Sequence, residues 1–174
     1  MSDERESIGD GTRGNLYKAF VGEAKAHIRL LAFARKAEEE GYSQIARLFR
    51  AVAAAEEVHA ANHLRLLGEN VVRTTEENLA YSFETETTIN EATYPLFISE
   101  AEREGQQAAV LSFSAVRDVE EGHARLYRKA MDHLLRDEVS EYYVCGICGY
   151  TSDGVLPDQC PICGAESDAF RRID

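Results

Sequence analysis

The sequence repeats itself after 64 residues, and this internal repeat restricts the possible folds more than any other feature. The shift places Ala37–Gly41 on Ala101–Gly105, and Glu56–His59 on Glu120–His123. The first two of these segments both end in glycine, the residue that most often closes a helix. The repeat therefore predicts two helical hairpins of similar design, each with its turn at one of these glycines.

The composition between residues 15 and 136 favours long helices. This region is rich in Ala, Leu, Glu, Arg and Lys, and Pro95 is its only proline. Thr74 and Glu77 have the spacing of a capping box, which would begin the third helix. Helices are predicted near residues 13–40, 43–67, 76–104 and 107–136. We therefore expect a mainly α protein that contains a four-helix bundle.

The last part of the chain has a different composition. From Tyr142 onward, Gly, Pro, Asp and Cys surround short β-prone stretches, and a charged junction, Arg136–Glu141, precedes them. This composition indicates a small module rich in turns. A chain of 174 residues has room for two domains, and we predict them to be residues 1–138 and residues 139–174.

All four cysteines lie in this module as two C-x-x-C pairs, each followed by glycine. Two such pairs can place four thiolates around one ion, so a tetrahedral metal site is predicted. The spacing does not separate a structural zinc ribbon from a single redox-active iron. The predicted ligands are Cys145, Cys148, Cys160 and Cys163.

Each predicted helix also carries a glutamate on its apolar face. Four ionised carboxylates that face one bundle interior would repel one another and lose hydration, which costs roughly several kcal/mol each. Because no Lys or Arg lies near them on those faces, metal ions are the expected source of positive charge. The four residues are Glu23, Glu56, Glu86 and Glu120.

Two of these glutamates are followed, three residues later on the same helix face, by His59 and His123. This is the ligand pattern of di-metal carboxylate bundles, in which two helices supply one glutamate each and the other two supply Glu-x-x-His each. Carboxylate and imidazole ligands together favour iron or manganese, with zinc as an alternative. His27 and His63 are interpreted as core residues or neighbours of the ligands, and His133 as part of a solvated face.

Charge and hydropathy exclude several other classes of protein. The chain has 31 acidic and 19 basic side chains and a net charge of −12, which argues against nucleic-acid binding. No apolar run exceeds five residues, so neither a membrane-spanning helix nor a secretory signal is predicted. Cysteines in such a chain indicate metal or redox chemistry before disulfides, and we expect a cytoplasmic protein.

Several segments resemble the rubrerythrin family. They are GEAKAHIRLLAFARKAEEEGYSQIARLFR, the EEVH and EEGH segments, NLAYSFETE before Tyr94-Pro95, and YYVCGICGY with CPICGA near the end. The resemblance covers nearly the whole chain. It implies a ferritin-like four-helix domain with a non-haem di-iron site, a rubredoxin-like iron centre, and reduction of hydrogen peroxide to water in defence against oxidative stress.

The resemblance also implies roles for individual residues. Electrons would come from an external donor such as a rubredoxin or an NAD(P)H-dependent reductase, and the four cysteines would hold the iron that relays them. Tyr94 would lie beside the di-iron site. The implied di-iron ligands are Glu23, Glu56, His59, Glu86, Glu120 and His123.

One position departs from the family pattern. The family usually carries a second glutamate three residues after the one matched by Glu86, and this chain has Ile89 there. Isoleucine cannot bind a metal ion, so the remaining six ligands form a more symmetric set. An oxidase or ferroxidase that uses oxygen is therefore one alternative to a peroxidase. A non-catalytic iron-binding or structural zinc-ribbon protein is a separate alternative.

The connection between the two hairpins is short. From Leu67 to Glu76 it spans about 30 Å when fully extended, whereas a helix of about 25 residues is roughly 37 Å long. The connection is thus barely long enough to run along the length of the bundle from the end of one hairpin to the start of the next. We therefore expect a homodimer, with or without exchange of hairpins. In the exchanged form each site joins Glu23, Glu56 and His59 of one chain to Glu86, Glu120 and His123 of the other.

Overall fold

The computed structural model describes residues 8–68, 71–133 and 140–174. The described part is mainly helical and ends in a small cysteine-rich module, which confirms the predicted fold class. None of the described helices is both long and apolar enough to cross a membrane. The helices are α1 (Asp10–Glu39), α2 (Ser43–Leu67), α3 (Thr75–Thr88), α4 (Tyr94–Arg103) and α5 (Gln107–His133), and the strands are β1 (Tyr142–Cys145), β2 (Thr151–Asp153) and β3 (Phe170–Ile173).

The chain divides into two compact units, residues 1–73 and residues 74–174. In the first unit α1 and α2 form a hairpin whose interface is built from small side chains and one edge-to-face pair, Phe33 and Phe49. Small residues let two helix backbones approach closely. The buried alanines of this hairpin are Ala34, Ala37, Ala46, Ala53 and Ala60.

The two predicted hairpin turns are confirmed and have the same geometry. Gly41 and Gly105 both have positive φ, +82° and +68°, a backbone conformation that suits glycine at a helix end. In the first turn the Tyr42 N–H donates to the Ala37 carbonyl at 2.8 Å, and the same bond recurs 64 residues later at the same length. The repeat in the sequence is therefore a repeat of structure.

The second unit contains α3, α4 and α5. The predicted capping box is confirmed, since the Thr74 side chain accepts from the Glu77 N–H and the Glu77 carboxylate accepts from the Thr74 N–H. The predicted helix over 76–104 is confirmed as an unbroken helical segment, residues 75–103, but its hydrogen bonding is not uniform, because a π-helix, Ile89–Thr93, lies between α3 and α4. Pro95 has no N–H for the helical bond four residues back, and the Tyr94 N–H instead donates five residues back to Ile89.

The cysteine-rich module is built on a three-stranded antiparallel sheet in the order β2-β1-β3. Tyr143 of β1 lies opposite Ser152 on one side and Arg172 on the other. β2 also lies against α5, in the same compact unit. The predicted end of the fourth helix at residue 136, and the predicted domain boundary at 138/139, lie outside the described residues.

Candidate metal centres

The four cysteines converge in the module. β1 ends at Cys145, and the turns after β1 and before β3 supply the other three. The Cys145 and Cys163 sulfurs are 3.7 Å apart, and those of Cys148 and Cys160 are 3.6 Å apart. A tetrahedral ion with metal–sulfur bonds of about 2.3 Å has sulfur–sulfur edges of about 3.7 Å. The spacing of the four sulfurs therefore fits one tetrahedral ion.

The proton affinities of the thiols differ within this group. Burial disfavours the Cys145 thiolate, but the backbone N–H groups of Cys148 and Ile147 outweigh burial and lower the pKa of Cys145 to about 7. Burial, together with the neighbouring sulfurs, raises the pKa of Cys148 to about 12. Four thiolates can share so small a space only with a cation among them, which supports a metal ion as the natural occupant.

A second group of potential ligands lies on the first hairpin. Glu23 projects from α1, and Glu56 and His59 project from α2 one helical turn apart. One ligand atom from each of the three lies within 4.8 Å of the others. The His59 Nδ1 is 2.9 Å from Glu56 Oε2, although 55% of the His59 side chain is exposed. This triplet has the donors for one side of a carboxylate-bound metal centre.

A third group lies on the second hairpin and repeats this arrangement. Glu86 projects from α3, and Glu120 and His123 project from α5, again with one ligand atom each within 4.8 Å of the others. The His123 Nδ1 is 2.8 Å from Glu120 Oε2. Burial, followed by the charge and hydrogen bond of Glu120, raises the pKa of Glu86 to about 7, while His123 lowers it. The carboxylates are crowded enough that a cation would relieve them.

The donor sets restrict the choice of metal. Two carboxylates and one imidazole in each triplet suit iron, manganese or zinc, and four thiolates suit iron or zinc. The six predicted bundle ligands are all present in the two triplets, and the four cysteines form the third group. Their function as metal ligands stays a prediction, since it rests on donor type and distance.

The other residues singled out in the sequence have different surroundings. Tyr94 belongs to neither triplet, and its ring packs edge-on against Phe97 and Phe113. The His27 Nδ1 lies 2.9 Å from the Ala53 backbone carbonyl, as expected for a core histidine, and His63 is half-buried. The side chain of His133 lies outside the described residues.

One contact at the third group was not predicted from the sequence. The distal nitrogen of His123, Nε2, is 3.2 Å from the Thr151 Oγ1 in β2 of the cysteine-rich module. The two residues are 28 positions apart, and no motif links them. Only the packing of β2 on α5 brings the hydroxyl to the imidazole.

Comparison with known proteins gives a consistent result. The family model described as rubrerythrin matches residues 14–131, and that of the rubrerythrin, rubredoxin-like domain matches residues 143–171. Nigerythrin of Nitratidesulfovibrio vulgaris is 34% identical over 182 residues, which cover 98% of this chain and 90% of the relative. Rubrerythrin-2 of Clostridium acetobutylicum is 30% identical over 171 residues, which cover 90% of this chain and 93% of the relative.

Solved structures agree with the sequence relatives. The structure of fully reduced, all-ferrous nigerythrin has a TM-score of 0.58 and 34% identity, and the match covers 99% of this chain and 91% of that chain. A partially reduced state of nigerythrin also has a TM-score of 0.58, with 33% identity and the same coverage. The similarity extends over both the helical part and the cysteine-rich module.

Proposed function

This chain belongs to the rubrerythrin family, and from this premise we propose that it reduces hydrogen peroxide to water at a di-iron centre. Members of the family are oxidoreductases with a di-iron domain and a rubredoxin-like domain. The observation that carries the proposal is the pair of matching triplets, each with two glutamates and one histidine at ligand distance. Iron is the proposed metal because a similar solved structure is named as all-ferrous.

Each triplet would provide half of the di-iron centre. Reduction of one hydrogen peroxide to two waters takes two electrons and two protons, and two ferrous ions bound here would supply the electrons and act as Lewis acids. The histidines would bind through Nδ1, the nitrogen that faces the glutamate of the same helix in both triplets. The proposed ligands are Glu23, Glu56 and His59 with Glu86, Glu120 and His123.

A complete centre needs both triplets, and we propose that a homodimer completes it by exchange of hairpins. Three ligands are too few for two ions, and the triplets belong to different compact units of the chain. The short connection between Leu67 and Thr75 supports exchange. The first hairpin also leaves large apolar side chains exposed, among them Ile45 at 47% and Leu66 at 50%, and a second chain is the proposed cover.

We propose that the four-cysteine iron passes electrons to the di-iron centre one at a time. Cys145 and Cys160 are buried, whereas Cys163 is exposed, so an external donor has access to the ion through one of its ligands. A rubredoxin or an NAD(P)H-dependent reductase would be such a donor. A reducing cytoplasm, which keeps the four thiols free of disulfides, is the proposed compartment.

The test separates the two centres. In the double variant Cys145→Ser with Cys160→Ser, turnover driven by an external donor should stop, because the relay is lost. The chemically pre-reduced double variant should still consume one equivalent of peroxide per di-iron site in a stopped-flow experiment. Glu120→Ala should abolish both reactions. A pre-reduced double variant that cannot react with peroxide would reject this division of labour.

A second candidate is an oxidase or ferroxidase that uses oxygen, and Ile89 favours it. This residue stands where the family usually has a further carboxylate, so the ligand set is more symmetric. Stopped-flow oxidation of the diferrous protein by peroxide and by oxygen separates the candidates. Faster oxidation by peroxide supports the peroxidase, and faster oxidation by oxygen supports the oxidase. Iron that stays bound, by metal analysis, without turnover under either oxidant would indicate a non-catalytic iron-binding protein.

A further inference from the structure

We propose that Thr151, a residue of the cysteine-rich module, positions the metal ligand His123 through a hydrogen bond to its distal nitrogen. This inference rests on the proposed function only in taking His123 as a metal ligand. It assigns to the module a structural effect on the neighbouring centre, in addition to its proposed relay of electrons.

The geometry shows two different partners for the two imidazole nitrogens. Nδ1 lies 2.8 Å from Glu120 Oε2, in the group that includes Glu86. Nε2 lies 3.2 Å from the Thr151 Oγ1. A metal-binding histidine is commonly oriented by a hydrogen bond from its other ring nitrogen, and removal of that partner weakens metal binding. Thr151 has the position of such a partner.

The hydrogen-bond capacity of the hydroxyl sets the direction of this bond once a metal ion holds Nδ1. The Thr151 hydroxyl has one proton, and it donates to the Gly149 backbone carbonyl at 3.3 Å. Its oxygen is then left to accept from the Nε2–H of His123. When a metal ion takes the lone pair of Nδ1, the proton of the neutral imidazole lies on Nε2, where the Thr151 oxygen accepts it, so the hydroxyl favours the tautomer that binds metal.

The packing of β2 on α5 holds this hydroxyl in place. Thr151 and Asp153 are two residues apart on β2 and therefore point to the same face of the strand. Asp153 pairs with Lys129 of α5, while Thr151 contacts His123 of the same helix. Two contacts along one helix set both the position and the direction of the strand.

The same contact joins the two proposed metal centres. Gly149, whose carbonyl accepts the hydrogen bond from the Thr151 hydroxyl, follows Cys148 directly in the chain. A continuous series of bonds thus runs from the cysteine ligand through the Gly149 carbonyl and the Thr151 hydroxyl to His123. Any shift of the turn that holds Cys148 is transmitted to the orientation of the imidazole.

A cavity beside the contact limits the size of the expected effect. It has a volume of about 360 Å³ and is lined by His123, Thr151, Tyr127, Tyr142 and apolar side chains. Water from this cavity can replace a deleted hydroxyl at Nε2 but cannot hold the ring as firmly. We therefore expect the lower end of the range of 10- to 100-fold that such outer partners contribute.

The experiment measures metal affinity without redox chemistry. The four-cysteine site of the full-length protein is first filled with Zn²⁺, and Co²⁺ is then titrated into the carboxylate–histidine site and followed by its visible absorption. Thr151→Val should weaken Co²⁺ binding about tenfold, because the variant keeps the shape of the side chain but cannot accept. Thr151→Ser should bind as the parent does, and Ser152→Ala, which removes the hydroxyl that donates to the Val155 carbonyl, is the matched control.

A second measurement does not depend on metal. In histidine-labelled, metal-free protein, the ¹⁵N signal of the His123 Nε2 should shift in Thr151→Val and return to its parent position in Thr151→Ser. Unchanged Co²⁺ affinity in Thr151→Val would overturn the proposal, as would a Thr151→Ser variant as weak as Thr151→Val. Because both readouts are free of peroxide, failure of the iron-loaded protein to reduce peroxide would reject the proposed function and leave this inference standing.

Discussion

At the scale of single residues, the clearest electrostatic feature of the helical part is the crowding of carboxylates around Glu86. Its pKa of about 7 arises first from burial and then from Glu120, while His123 opposes the shift. A carboxyl group with a pKa of about 7 is half-protonated at neutral pH. A metal ion must displace that proton to bind. The residue is therefore a sensitive indicator of whether the site carries a cation.

Glu86 gives a prediction for the metal-free protein. Its pKa is about 7 in the folded chain and about 4.3 when unfolded, so the unfolded state loses its proton first as the pH rises. This residue should therefore lower the stability of the folded state progressively from about pH 4.5 to about pH 7. Urea unfolding at several pH values should show this trend in the parent and a flatter one in Glu86→Gln.

The control for this prediction is Glu84→Gln on the exposed side of the same helix. It should retain the pH trend of the parent protein. The explanation is wrong if Glu86→Gln and the parent have the same dependence on pH across this interval.

Ile89 gives a second prediction at this scale. It is half-buried, follows α3, and lies three residues after Glu86, so a carboxylate there could approach the same metal pair. In the parent protein we expect His59 to bind iron in both the oxidised and the reduced state. Ile89→Glu should add a ligand that depends on the redox state and change the ratio of the peroxide and oxygen rates. X-ray absorption and stopped-flow kinetics measure these effects.

Ile89→Gln is the matched control, because it has the shape of glutamate without the charge. A parent protein in which His59 binds in only one redox state would contradict the prediction. Unchanged coordination and unchanged rates in Ile89→Glu would contradict it as well.

The sequence predicts the ligand triplets better than it predicts their neighbours. Glu120 and His123 share a helix face at any i, i+3 spacing, whatever the rest of the chain does. The contact of Thr151 with His123 depends on how a strand of one module packs on a helix of another, and no local pattern encodes that packing. The spacing therefore indicated which side chains meet, but not which hydroxyl orients them.

At the scale of elements, the π-helix Ile89–Thr93 is the main departure from the predicted helices. The spacing of the stripe continues from Phe83 through Asn90 and Thr93 to Phe97, so periodicity alone predicted one uninterrupted helix. Pro95 indicated a disturbance of the helical bonds, but proline is also common in the first turn of a helix. Which of these outcomes occurs depends on tertiary contacts, and the π-helix makes one through the bond from the Asn90 side chain to the Arg117 carbonyl at 2.7 Å.

This bond gives a prediction about stability. Asn90→Ala removes a half-buried donor that ties the π-helix to α5, and the free energy of unfolding should fall by about 1 kcal/mol. Urea denaturation of the metal-free chain measures this loss. Asn62→Ala, at an exposed position on α2, is the control and should change stability little. Equal effects of the two substitutions would show that the Asn90 bond contributes nothing beyond a surface contact.

At the scale of the whole molecule, the two compact units each contain one triplet and one tight helical turn. The repeat in the sequence predicted both hairpins and both turns, because a glycine at a helix end and a periodic apolar face are local features. Pairing between hairpins is not local. Whether a hairpin pairs within its own chain or with a second chain depends on the length of the connection, which the sequence shows to be marginal.

Exchange of hairpins predicts a specific result when inactive subunits are mixed. Glu56→Ala damages the triplet of the first hairpin, and Glu120→Ala damages that of the second. Refolded together, half of the dimers should be heterodimers with one intact site each, so about a quarter of the parent activity should return. Proven heterodimers without any recovery would reject the exchanged form, and the same mixture without refolding is the control.

The equivalence of the two hairpins has a consequence for the gene. The whole chain supplies four glutamates and two histidines to the bundle, and two copies of either hairpin would supply the same number of each. The coding sequence therefore specifies one ligand set twice, with the two Glu-x-x-His pairs 64 codons apart and the remaining glutamates, Glu23 and Glu86, 63 codons apart. A gene of about half this length, translated into a hairpin that pairs with its own copy, would already encode every donor that the di-metal centre requires.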